Sequence, residues 1–346
     1  MKLKKNVLKQ LPLPLLLLLT FLLALFTMPG CSSNKLLYPV EVKSLYGYIN
    51  YRGSLQIPPK YPKAQRYSEG FAPVQRNDGS LIYLDLDGNE LEIPTAYGSP
   101  EKLDIFSDGM ARVVVGQQVG FLDKKLLWAI PPRFTQAGRF AEGLAAVFDV
   151  SRKRGAYIDK KGSEVFALDN VAALGPMKAG FAYFVREGRF GIVDKQGQIV
   201  RKAQYLFMAS ADPATGLARA QDEQTELLGF VDRSGTWIIS PRYPNAGDFS
   251  DGLAAVYVRA KNRYGYIDAR GNLQIPAQYL QAGGFHEGFA WVRTDKGFRY
   301  IDRDGRWLSP LVFTYTHNFY AGLAAAAQGN SQLYIDTEGG VIWPSQ

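Results

Sequence analysis

Among the residues that could do chemistry, the acids stand first because they recur. An aromatic-x-acid-Gly-apolar-Ala element sets a carboxylate beside a glycine at Glu142-Gly143, Asp251-Gly252 and Glu287-Gly288. Weaker copies centre on Gly70, Gly109, Gly180, Gly216 and Gly322. Paired carboxylates hydrolyse glycosides when two unlike acids share one cleft. Here one acid returns at an even beat, always next to a turn glycine, and that pattern reads as turn formation. His286 and His317 are the two histidines, and neither has a His or Cys partner at ligand spacing, so no zinc site is expected. His286 also falls where Ala141 and Ser250 sit in sister copies, which makes it a turn residue. Asp85-Leu86-Asp87-Gly88-Asn89 has the look of a calcium loop but lacks the downstream Glu and the flanking helices. It matches the turn at Asp302-Arg303-Asp304-Gly305 instead. No phosphate-cradling glycine loop, Gly-x-Ser-x-Gly elbow or dinucleotide fingerprint occurs. The sequence therefore predicts no catalytic residue, metal or cofactor, and a protein that is not an enzyme.

The elements that hold these residues form a repeat. Tyr-Ile-Asp-x-x-Gly or a close variant occurs nine times, at Asn50, Asp85, Asp123, Asp159, Asp194, Asp232, Asp268, Asp302 and Asp336. Successive copies lie 34 to 38 residues apart, about 36 on average. The Asp side chain can bond backbone amides two residues on, and the Gly supplies φ > 0, so each copy predicts a β-hairpin. The third copy has Leu126 where the others have Gly. An Ile-Pro or Pro-Pro step such as Ile130-Pro131-Pro132-Arg133-Phe134 follows and stops ladder pairing, because proline donates no amide hydrogen. The acid-Gly turn then starts a strand such as Ala254-Ala255-Val256-Tyr257-Val258, rich in β-formers. Three short strands per repeat are expected, and no stretch after residue 35 keeps a helical apolar period for three turns.

These motifs resemble the WG-repeat (KWG-repeat) family, with its Trp-Gly-Tyr-Ile-Asp, Ile-Pro-Pro and Phe-x-Glu-Gly-Leu-Ala elements. The resemblance spans residues 46–343. The naming Trp is replaced by Tyr46, Val119, Arg154, Phe190, Leu228 and Tyr264. The family is a repeat architecture of bacterial proteins, and membership implies no reaction. The expected fold is all-β: tandem three-stranded hairpin repeats over residues 46–346, closed into a propeller-like ring of about eight units. An open superhelical array is the alternative, since repeats that bury their faces on neighbours need closure or capped ends.

The first thirty residues are different. Lys2, Lys4, Lys5 and Lys9 precede an almost wholly apolar run from Leu11 to Phe26, then Pro29, Gly30 and Cys31. This is the pattern of a secretory signal over residues 1–30. Met28-Pro29-Gly30-Cys31 resembles the lipobox of bacterial lipoproteins, which implies a lipidated Cys31 at the mature N-terminus, followed by a linker to residue 45. Ser32 after it implies, by the same resemblance, anchoring at the outer membrane facing the periplasm. Cys31 is the single cysteine, so no intrachain disulfide is available. Removing four lysines and no acid lowers the net charge from +8 to +4, too mild to point to nucleic acid. Trp237 and Trp307 recur two residues after the hairpin Gly and read as repeat core, whereas Trp291 breaks the Ala-Ala-Val pattern and is the candidate ligand-binding residue. The expected function is a lipid-anchored envelope scaffold for a protein partner, with glycan or peptidoglycan binding as the alternative.

Overall fold

The computed structural model describes residues 36–344, so Cys31 and the signal segment lie outside the described residues. Among those residues, nine antiparallel sheets follow one another as the blades of a β-propeller ring. Blade 4 shows the plan: Gln136–Ala137, Ala145–Asp149, Arg154–Ile158 and Glu164–Asp169, hydrogen-bonded in that order. We call these positions the first to fourth strand. The described residues of the other blades run over residues 37–61, 63–91, 102–134, 173–205, 207–243, 254–279, 281–302 and 315–343.

The predicted hairpin is the turn between third and fourth strands. All nine Asp or Asn residues accept the amides two and four residues on; for Asp159 these are Lys161 and Ser163, both at 2.9 Å. Gly162 then takes φ 80°. Leu126, in the glycine's place, adopts φ 58° while its side chain is buried against Tyr83 and Phe106. Apolar burial there offsets a left-handed backbone that costs about 1–2 kcal/mol without glycine.

Ring closure is as the sequence predicts, and three details differ. Six blades have four strands rather than three, because a two-residue strand such as Gln136–Ala137 precedes the acid-Gly turn and is too short to leave a hydrophobic pattern. There are nine blades rather than about eight, one for each Asp hairpin. The array also begins before residue 46: Leu37–Val42, assigned to the linker, pairs with Leu45–Asn50 as the second strand of blade 1.

The core is divided among the gaps between blades. One cluster joins Tyr266, Ile275 and Tyr279 of blade 7 to Phe285, Ala290 and Val292 of blade 8. Phe285 is wholly buried, its ring edge-on to Tyr266 at 4.8 Å. The ring closes the same way, by packing blade 9 on blade 1 without exchanging a strand. Leu323 packs with Tyr38, Val40 and Ile49. The Tyr334 hydroxyl donates to the Pro39 carbonyl at 2.8 Å, and the Tyr38 hydroxyl donates to the Ala321 carbonyl. Among the described residues blade 1 has no first strand, and Tyr320 of blade 9 spans that position to donate to the Tyr67 carbonyl of blade 2 at 2.8 Å.

Candidate functional site

The recurring acids are used between blades. In each acid-Gly turn the acid itself has positive φ, 50° at Glu142 and 55° at Glu287, as a tight turn with two left-handed residues requires. From there the carboxylate accepts the amide of the glycine in the next blade's turn. Glu69 accepts Gly109 at 3.0 Å, Glu142 accepts Gly180 at 3.2 Å, Asp251 accepts Gly288 at 2.8 Å, and Glu287 accepts Gly322 at 2.7 Å. Asp108 does the same to Gly143. Lysines from the next hairpin complete the contact, Lys160 on Asp108 at 2.8 Å and Lys195 on Glu142 at 2.9 Å. Burial pushes the Asp108 and Glu142 carboxyls up, but the lysines and turn amides outweigh it and hold both below the usual range. These carboxylates are occupied as ionised acceptors. The chain of contacts breaks at Ala179, Thr215 and Ala321, where no acid stands.

The tyrosine of Tyr-Ile-Asp is a second latch. Its hydroxyl crosses to a backbone carbonyl in the next blade: Tyr83 to Asp104 at 2.6 Å, Tyr157 to Gly175 at 2.6 Å, Tyr266 to Gly283 at 2.8 Å, and Tyr300 to His317 at 2.7 Å. Burial drives the Tyr266 hydroxyl far above its ordinary value, so it remains a donor. Sequence reasoning read these rings as strand formers and missed the hydroxyl. Its signal was the choice of Tyr over Phe in six of nine copies.

What varies from blade to blade is one position in the second strand. It follows an alanine that is buried in blades 2 to 9, among them Ala111, Ala145, Ala182, Ala218 and Ala290; blade 1 has the buried Tyr38 there. Arg112, Tyr183, Arg219 and Trp291 occupy it in blades 3, 5, 6 and 8, and each side chain extends into the gap toward the next blade. Arg112 donates to the Ala137 carbonyl and Arg219 bonds Asp248 at 2.9 Å. Tyr183 packs with Met208 and Ala211, and the Trp291 indole N–H donates to Asn318 Oδ1 at 3.1 Å. Trp291, the candidate singled out from the sequence, is thus half-buried between blades 8 and 9, edge-on to Phe298 at 5.7 Å. The first strand makes room for the two aromatics. A Cβ on Gly283 would fall on the Trp291 indole nitrogen, and one on Gly175 would meet the Tyr183 ring at 2.6 Å.

In blade 4 the same position is Ala146, and the gap is open. A cleft of about 530 Å³ lies there, with Phe148 and Leu174 on its walls and Arg139 and Lys178 among its lining. A Cβ on Gly138 would come no closer than 3.6 Å to Ala146, so the space that Trp291 fills in blade 8 is vacant. Arg139 bonds Asp104 through Nε at 2.9 Å, and Arg112 bonds the same carboxylate at 2.8 Å. Burial raises the Asp104 carboxyl, but the two guanidinium groups, Arg139 foremost, more than offset this and leave it below its usual range. Ala325 leaves a smaller opening of about 170 Å³ at the ring seam, beside Tyr315 and His317.

The two histidines stay apart: His317 packs under Tyr315 at 4.8 Å and His286 sits in the acid-Gly turn of blade 8. Among the described residues no three metal-ligating side chains converge. Asp85 accepts the Asp87 and Asn89 amides at 2.9 Å, as a hairpin Asp does in every blade. Trp237 meets Tyr205 edge-on at 5.5 Å, whereas Trp307, expected in the repeat core, is 42% exposed and lies under the Arg299 guanidinium at 3.8 Å.

Comparison with known proteins fits this geometry. The crystal structure of a eukaryotic initiation factor is similar at 11% identity, covering 88% of this chain and 94% of that one with a TM-score of 0.64. The computationally designed Ika8 protein (11% identity, 80% and 93% covered) and BamB from Moraxella catarrhalis (11%, 79% and 95%) align with TM-scores of 0.45 and 0.41. The first of these likenesses supports the propeller fold and nothing further. No curated protein matches the chain. The family model for the WG containing repeat matches residues 46–79, 120–148, 229–261, 264–297 and 298–330. Each matched segment starts in the third strand of one blade and ends near the close of the second strand of the next, so the sequence repeat is offset by half a blade. Over these five segments the chain matches the WG containing repeat, and its described residues form a nine-bladed propeller.

Proposed function

We propose that the protein is a binding scaffold that holds a protein partner on a rigid ring, tethered to the cell envelope through a lipid on Cys31. The observation that carries the binding part is the division of labour among its residues. The acids that recur with the repeat are spent on amides and lysines between blades, while one position per blade varies in size and charge. Interaction surfaces of repeat proteins come from such variable positions. The protein reading is favoured over the glycan reading because, among the described residues, the exposed aromatics Tyr97, Trp307 and Tyr315 each sit edge-on to a different ring, Trp128, Tyr279 and His317, rather than to one another. The reading is non-catalytic: Asp212 and Asp248 line one opening between blades 6 and 8, but Asp212 accepts the Thr215 amide and hydroxyl at 2.8 Å and Asp248 is bonded by Arg219 at 2.9 Å.

Affinity capture after cross-linking in intact cells tests the partner. Reproducible enrichment of one protein is the expected result, and none above a mock capture contradicts it. The anchor is tested separately by fractionation. Wild type should sediment with membranes and Cys31→Ala should be soluble, whereas identical soluble partition of both removes the lipid.

A further inference from the structure

The cleft over Ala146 differs from the other gaps in ways that bear on what enters it. In blade 8, Gln281-Ala282-Gly283 carries the first strand and Trp291 lies across its glycine. In blade 4, Gln136-Ala137-Gly138 carries the same strand, and its glycine faces only Ala146. Gly247 faces Ala255 in the same way in blade 7, so the pair alone does not set blade 4 apart; in blade 4 it borders an open cleft with room for a large ring that the blade's own second strand does not provide. At about 530 Å³ the opening is within the range of ligand pockets, roughly 300–1,000 Å³.

Its chemistry is also one-sided. The lining holds Arg139 and Lys178 and no carboxylate. Asp104, the nearest partner of Arg139, is shared with Arg112, so two guanidinium groups face one carboxylate. Lys178 has no ion-pair partner among the described residues: the turn acids Asp108 and Glu142 are taken by Lys160 and Lys195, and of the two acids in the adjoining opening that Lys178 also lines, Asp248 is paired with Arg219 and Asp212 with Thr215. Ala137, Val147, Phe148, Leu174 and Pro176 supply the apolar walls.

We propose that this cleft between blades 4 and 5 is the seat of the partner, and that it receives a large apolar or aromatic side chain of a peptide segment carrying a carboxylate beside it. The ring enters the vacancy over Gly138, and the carboxylate meets Lys178 at the mouth. This rests on the scaffold reading and gives it a site.

The test uses the fluorescent anion 8-anilinonaphthalene-1-sulfonate, an aromatic body with one negative group, titrated against the folded full-length protein. Wild type should bind it saturably. Ala146→Trp, which copies the native residue of blade 8, should weaken binding at least about tenfold with a melting temperature close to wild type. Lys178→Glu should weaken it by about fivefold or more, while Lys296→Glu on the exposed end of blade 8 should change it by less than about twofold. Should Ala146→Trp fold poorly, the Lys178→Glu and Lys296→Glu pair decides alone. Equal binding by wild type, Ala146→Trp and Lys178→Glu overturns the proposal. So does capture of one partner in equal yield by wild type and Ala146→Trp, and that outcome leaves the scaffold reading intact. Absence of a partner for both proteins defeats the scaffold reading instead, and the dye titration then decides the cleft by itself.

Discussion

At the scale of single residues, the acid-Gly turn combines a cost with a gain. A non-glycine residue at positive φ costs about 1–2 kcal/mol, and Glu142, Asp251 and Glu287 all accept that cost. The return is a charge-assisted bond to the next blade, the stronger kind of hydrogen bond. Ala179 has φ 52° and no carboxylate to give, so Ala179→Gly should stabilise the protein by about 1 kcal/mol in chemical denaturation. Glu287→Ala should destabilise it by about 1–2 kcal/mol, because the Gly322 amide loses its acceptor. The same carboxylates set the pH response. Asp104, Asp108 and Glu142 are held below their ordinary values in the folded ring, so each stabilises it fully above the unfolded carboxyl range of about 4. That contribution is lost as pH falls through the depressed folded values. The melting temperature should accordingly be flat from about pH 7 to 5 and fall below about pH 4. Asp104→Asn should flatten that fall.

At the scale of strands, the fit between first and second strands decides which glycines matter. Gly283→Ala drives a Cβ into Trp291 and should cost about 2 kcal/mol or more, whereas Gly138→Ala meets only ordinary contacts and should be neutral or slightly stabilising. In a double-mutant cycle, Trp291→Ala should remove most of the Gly283→Ala penalty, since the clash and its partner go together. The sequence makes the hairpins plain because Asp and Gly act locally: the side chain reaches its own turn, and all nine copies show it. It leaves the first strand hidden. Two residues such as Gln136–Ala137 carry no period, and their pairing with Val147 and Phe148 is set by the acid-Gly turn that follows. Trp291 stood out by type, but its neighbours across the blade gap are 27 residues away in the chain, so its half-buried role was not legible.

At the scale of the whole molecule, nine hairpins with eight acid-Gly elements already carried the count of blades. A frame offset by half a blade concealed it. Each repeat supplies the end of one sheet and the start of the next, so no single copy contains a blade. Closure then needs no exchanged strand, because the tyrosine latch of blade 9 acts on blade 1 as the others act on their neighbours. Tyr334→Phe should therefore cost about as much as Tyr266→Phe, on the order of 1 kcal/mol each, in equilibrium denaturation followed by tryptophan fluorescence. A far larger loss at Tyr334 would mark the seam as a special joint.

The proposed scaffold role rests on the division between a repeated set of latches and one variable position per blade. Affinity capture of the full-length protein from cross-linked cells tests that most directly. The account predicts one partner enriched reproducibly by wild type and depleted in the Ala146→Trp capture. A wild-type capture no different from the mock would contradict it.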